Sequence, residues 1–205
     1  MLIPLFPLPN VVLFPSVFLP LHIFESRYRQ MLTDALRADR MIGMVLIKER
    51  QSELVEVPEV YPIGCAGVIS HSQTLPDGRS NIVLRGMQRF RIGWEEHDRD
   101  YRRAYVEPLV EPLTDPIRLD VRTARSKLEM LLGGRLATAD GEVIVPADMP
   151  DEDLINTLSQ YLDLEPVEKQ ALLERDDVAQ RSQALIELIE MRTLTPGQRG
   201  GLGLQ

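Results

Sequence analysis

Two hydrophobic periods divide this chain of 205 residues near position 112. Before that point the apolar residues come in short runs or alternate with polar ones, the period of half-buried strands; after it they recur at threes and fours, the period of helices. Residues 2–6 and 17–21 read as short strands around a Pro9-Asn10 loop, with prolines at strand ends where a missing donor is tolerated. Residues 25–37 interrupt the β pattern, because Tyr28, Met31, Leu32 and Ala35 fall on one helical face while Arg27, Arg29 and Asp34 fall elsewhere. Residues 43–48 and 61–70 are nearly continuous apolar runs, the second carrying Gly64 and Gly67 where a strand bends or bulges.

The segment Leu75-Pro76-Asp77-Gly78 predicts a reversal, since proline presets φ at the first central position and glycine accepts the left-handed conformation. Residues 81–85 form the return strand. Beyond Gly86, Phe90, Ile92 and Trp94 alternate with Arg89 and Arg91, and residues 101–107 supply one more strand. Six or seven short strands with this punctuation predict a small closed or partly closed barrel, which removes exposed edges.

Downstream, Asp115-Pro116 is a helix start followed by Ile117, Val121, Ala124, Leu128 and Leu131, and Gly133-Gly134 is its stop. Residues 135–149 read as a loop. Pro150 opens a second helix with Leu154, Ile155, Leu158, Tyr161 and Leu162 on its apolar side, and residues 163–166 break it. Further helices over 166–174 and 177–192 bury Leu172, Leu173, Val178, Leu185, Leu188 and Ile189 in a small bundle. The expected division is 1–112 for the barrel, 113–193 for the bundle and 194–205 for a glycine-rich disordered tail. The fold class is thus α+β.

Charge sharpens the division. Residues 1–110 hold 13 basic and 13 acidic side chains, whereas 111–205 hold 10 and 18, so the whole net charge of -8 lies in the second part. Such a balance argues against a general nucleic-acid binder, which gains affinity by neutralising phosphates. No charged side chain occurs from Met1 to Phe24, but Pro4, Pro7, Pro9, Pro15 and Pro20 interrupt every helical turn there, and no basic segment precedes it; neither a signal peptide nor a membrane span is expected. A single cysteine, Cys65, excludes an internal disulfide and fits a reducing, cytoplasmic setting. With His22, His71 and His97 it lacks the short ligand spacings of a metal site.

At this stage the residues carry a family likeness. The stretch Pro4-Leu5-Phe6-Pro7-Leu8-Pro9-Asn10-Val11-Val12-Leu13-Phe14-Pro15, followed by Leu19-Pro20-Leu21-His22-Ile23-Phe24-Glu25, resembles the opening of the N-terminal substrate-recognition region of Lon-type proteases. Ile63-Gly64-Cys65-Ala66, the 75–78 hairpin, Arg85-Gly86 and Arg89-Phe90-Arg91-Ile92 are similar to that family's glycine strand, turn and following strand. Glu168-Lys169-Gln170, Leu172-Leu173-Glu174 and Arg181 look like its last helices. The likeness spans roughly residues 2–192 and implies a PUA-like barrel, of the pseudouridine-synthase-and-archaeosine-transglycosylase type, with one helix, followed by a C-terminal α-helical bundle.

The resemblance implies a non-catalytic module that binds unfolded or apolar polypeptide segments, or one specific protein partner. Nothing matches the phosphate-cradling G-x-x-x-x-G-K-[ST] loop, and Lys48, Lys127 and Lys169 are too scattered to suggest a serine-lysine peptidase, so neither cofactor nor turnover is expected. Leu13, Phe14 and Val17 on the loop and strand rim, with Arg27 and Tyr28 on the following helix, are the candidate binding residues, set against the plainer reading that the early aromatics fill the core. His22 and Glu25 suit a helix cap or simple hydrogen bond better than proton transfer. Glu95, Glu96, Asp98 and Asp100 read as a solvated loop. The rival reading is an RNA-binding barrel with a basic face of Arg85, Arg89 and Arg91.

Overall fold

The computed structural model describes residues 1–48, 58–132 and 148–194. The chain divides into two compact units, Met1–Val110 and Glu111–Gln205. In the first, strands β1 (Leu2–Leu8) and β2 (Phe18–Ile23) precede helix α1 (Ser26–Arg37). Strands β3 (Met41–Leu46), β4 (Ile63–Thr74), β5 (Ser80–Glu96) and β6 (Arg103–Pro108) follow. The sheet order is β2-β5-β4-β3-β1-β6, and β6 pairs back onto β5, so five strands close a ring to which β2 is appended. Only β1 and β3 run parallel; the remaining pairings are antiparallel.

Closure depends on the length of β5. Sequence reading divides this segment at Gly86, yet it forms one strand of 17 residues. Its first part pairs with β2 through Ser80 to Arg85, its last part with β6 from Phe90 to Glu96, and β4 runs along the opposite edge. Gly86 permits this: a β-carbon there would overlap the Phe14 carbonyl oxygen, and the two chains instead exchange Ser16 N–H to Gly86 O at 2.9 Å and Gly86 N–H to Val17 O at 2.8 Å.

Ile3, Leu5, Val45, Ala66, Phe90, Ala104 and Val106 form one buried cluster. Full burial of each larger member contributes about 1.5–3 kcal/mol. The expected common face of Phe90, Ile92 and Trp94 is not kept. A register shift between Ile92 and Glu95 reorients the strand, and Trp94 is 57% exposed. An irregularity of this kind inserts a residue that the partner strand does not match, so the simple alternation ends there.

Helix α1 follows its sequence pattern closely, burying Tyr28, Met31, Leu32 and Ala35. The 75–78 reversal is also as expected: Gly78 has φ of 82°, its N–H donates to Leu75 O at 2.9 Å, and Leu75 N–H donates to Arg79 O at 2.8 Å.

The second unit contains α2 (Asp115–Leu131), α3 (Asp151–Tyr161), α4 (Pro166–Leu173) and α5 (Val178–Leu194). Thr114 rather than Asp115 occupies the N-cap of α2, and Pro116 sits in the first turn, where its missing donor is harmless. Glu165 and Glu168 form a reciprocal capping box at the start of α4. Arg181 is fully buried, donating to Glu111 Oε1 and Asn156 Oδ1 at 2.8 Å each and to Leu172 O at 3.2 Å. A buried guanidinium is tolerated only with such compensation. Among the described residues, no helix is long and apolar enough to cross a membrane. The expected stop at Gly133-Gly134, nearly all of the 135–149 loop and the tail from Thr195 lie outside the described residues.

Candidate functional site

A cavity of about 310 Å3 opens in the first unit where the end of β1, the start of α1 and the β5–β6 connection converge. Pro7, Leu8, Pro9 and Ile47 give it an apolar wall, Arg27 and Tyr28 come from the first turn of α1, and His97, Arg99, Asp100, Tyr101 and Arg102 come from the connection. Two of the five residues expected to bind a partner, Arg27 and Tyr28, are therefore adjacent to the same hollow.

Local sequence explains their positions. Glu25 takes the extended N-cap conformation of α1 without a side-chain capping bond, and its carboxylate instead pairs with Arg27 at 2.8 Å. The Arg27 guanidinium carbon lies 4.6 Å from the centre of the Tyr28 ring, an arrangement that favours a cation over an aromatic face. The Tyr28 ring also packs against Phe6, centroids 4.5 Å apart and tilted by 55°. Burial pushes the Tyr28 phenol up from its ordinary pKa, an effect that Arg27 partly opposes.

The connection is held by ion pairs. Arg102 forks onto Glu95 at 2.7 and 2.5 Å and donates to Pro58 O at 2.7 Å, while Arg103 bonds Glu96 at 2.6 Å and Asp98 at 2.7 Å. Asp98 is held below the usual carboxylate range chiefly by its hydrogen bond from Arg103. Of the acidic stretch read as a solvated loop, Asp98 and Asp100 are exposed as expected, whereas Glu95 and Glu96 close β5 and, with Asp98, serve as counter-charges to Arg102 and Arg103. Because the pairs join residues five to seven apart, the connection has to turn back before they meet, and linear spacing did not show this. Tyr101 O–H donates to Asp34 Oδ2 at 2.8 Å; burial first, and Asp34 second, push this phenol up to about 12.

The other expected site residues are placed differently. Leu13, Phe14 and Val17 are exposed by only 1%, 0% and 3%, so they belong to the core and offer no capture patch. They are buried because Val12 through Val17 turn inward against Gly86 and Gly67 before β2 begins. The expectation that the early phenylalanines all fill the core holds for Phe6 and Phe14, while Phe18 and Phe24 are exposed. Arg89 is 2% exposed, so Arg85, Arg89 and Arg91 do not form a three-residue basic face; only Arg85 and Arg91 reach the surface.

His22 Nδ1 lies 2.7 Å from Asn81 Oδ1 and Glu25 accepts from Arg27 at 2.9 Å, so each makes a simple hydrogen bond to another residue and the Glu25 side chain does not cap α1. Cys65 is buried. Among the described residues no three His, Cys, Asp or Glu side chains gather as a metal site.

The model for the substrate-binding domain of ATP-dependent protease La (LON) matches residues 2–191. The Lon protease of Cytophaga hutchinsonii is 26% identical over 193 residues, and that of Escherichia coli K12 is 28% identical over 196. Each alignment covers 92% of this chain but 24% of the relative, so the chain spans about a quarter of the length of these proteases. The fold is similar to the N-terminal domain of a Mycobacterium avium complex Lon protease, with a TM-score of 0.70 and 20% identity over 93% of this chain and 98% of that one. A Lon N-terminal domain protein from Xanthomonas campestris aligns with a TM-score of 0.61 and 24% identity over 91% and 98%. With its ring of strands, its following helices and a family match over nearly the whole sequence, this chain belongs to the Lon substrate-binding domain family.

Proposed function

We propose that this chain recognises polypeptide segments without chemically altering them, and that the cavity beside Tyr28 is where a segment is held. Adaptor or regulatory service to a protease falls within this reading. The observation that carries it is the preformed hollow itself, with an apolar wall of Pro7, Leu8, Pro9 and Ile47 facing polar groups on α1 and the β5–β6 connection. Binding sites for flexible ligands commonly combine an apolar surface with a few fixed polar groups, and the volume falls at the lower end of the usual range of about 300–1,000 Å3. Family membership supports the same reading, since the family is defined by substrate binding.

The test is fluorescence anisotropy with a labelled, permanently unfolded polypeptide, in the presence and absence of ATP. Binding is expected to be indifferent to ATP, to leave the polypeptide intact and to weaken about tenfold or more in Leu8→Asp, which places a charge on the apolar wall. Equal affinity in that variant, with its fold intact, would exclude the cavity as the site. The RNA reading is the weaker one because its middle arginine, Arg89, is buried.

A further inference from the structure

Tyr28 has only 5% of its surface exposed, yet its hydroxyl has no hydrogen-bond partner among the described residues. Its ring packs against Phe6 at a tilt of 55° and under the Arg27 guanidinium, and the residue also lines the cavity. The hydroxyl is not sealed from solvent, so on its open side water or a ligand group can accept its proton. The raised pKa keeps the group protonated at neutral pH, so it offers a donor and asks for an acceptor.

Charge around the cavity narrows the identity of that acceptor. Arg27, Arg99 and Arg102 line it against Glu25 and Asp100. Arg27 is occupied by Glu25, and Arg102 by Glu95 and the Pro58 carbonyl. Arg99 is different: its contacts are long, 3.9 Å to Asp34 and 3.8 Å to Asp98, and its side chain is 44% exposed. Asp34 is already engaged by the Tyr101 hydroxyl. A neutral donor with no acceptor among the described residues and a guanidinium with long ion-pair contacts thus line the hollow whose other wall is apolar. A planar anion with two oxygens has one acceptor for each donor, and guanidinium groups bind carboxylates in that manner.

Resting on the reading of this cavity as a polypeptide site, we propose that it takes the C-terminal end of an extended chain. The terminal carboxylate accepts from the Tyr28 hydroxyl and the Arg99 guanidinium, and an apolar last side chain lies against Pro7, Leu8, Pro9 and Ile47. A chain end fits because one residue carries both the anion and the apolar group, and a cavity of about 310 Å3 is small for anything longer.

The experiment uses the full chain and a labelled nine-residue peptide ending in leucine, prepared as the free acid and as the C-terminal amide, with anisotropy as the readout. A third peptide carries an internal glutamate and an amidated end. The free acid is expected to bind about tenfold or more tightly than either amide. Tyr28→Phe, which deletes one oxygen and keeps the packed ring, and Arg99→Gln should each erase most of that preference, with an unchanged melting temperature showing the fold intact. Equal binding of acid and amide overturns the chain-end proposal and leaves polypeptide recognition standing, as does equal binding of acid and internal glutamate. If neither these peptides nor the unfolded polypeptide binds, the cavity reading itself fails along with the proposal.

Discussion

Tyr101 and Tyr28 line one cavity, and the first hydroxyl has an acceptor in Asp34 whereas the second has none among the described residues. For Tyr101 the consequence is a pH dependence. Its folded pKa of about 12 exceeds the ordinary 10.0, so the neutral phenol contributes stability fully below pH 10 and loses that contribution as pH rises through 12. In an alkaline absorbance titration of the five tyrosines, Tyr101 should ionise late. Tyr101→Phe should remove that late step and cost about 1–2 kcal/mol at neutral pH, with the gap to the parent closing between pH 10 and 12. A gap that stays constant over this range would contradict the assigned hydrogen bond. At this scale the sequence showed which face of α1 is apolar, and therefore that Tyr28 is buried. It did not show the depth of Leu13, Phe14 and Val17, because their cover comes from residues far along the chain, around Gly67 and Gly86.

Elements whose shape is set by local spacing were legible: α1, the 75–78 turn and the four later helices all stand close to where period and punctuation put them. Elements shaped by their partners were not. β5 reads as two pieces around Gly86, whereas β4 holds it as one strand, and Trp94 leaves the inner face only because pairing with β6 slips by residues that have no local signature. Gly86 is where this matters most. Gly86→Ala would force a β-carbon onto the Phe14 carbonyl and is expected to destabilise the first unit by about 2–4 kcal/mol, well beyond the ordinary cost of the change in a strand. Urea unfolding followed by Trp94 fluorescence would measure it. A shift below about 0.5 kcal/mol would mean that the chain crossing yields easily.

The molecule as a whole carries two cores and a convenient pair of reporters. Its single tryptophan, Trp94, is in the first unit, while four of the five described helices are in the second. Arg181→Leu strips Glu111 and Asn156 of a buried partner and should cost the helical unit about 3 kcal/mol. Circular dichroism at helical wavelengths should then report earlier melting while Trp94 emission keeps its parental midpoint; a common shift in both signals would show that the units unfold together. Charge asymmetry was plain in the sequence, and so was the change from strand-like to helix-like periods along the chain. How the ring closes was hidden, because nothing local announces that β1 sits between β3 and β6. That placement bears on synthesis. Strand β1 lacks one of its two neighbours, β6, until about a hundred residues later, an interval of roughly 5–20 s at ordinary elongation rates. Throughout that wait an oily nascent strand has a bare flank, the kind of surface on which chaperones act.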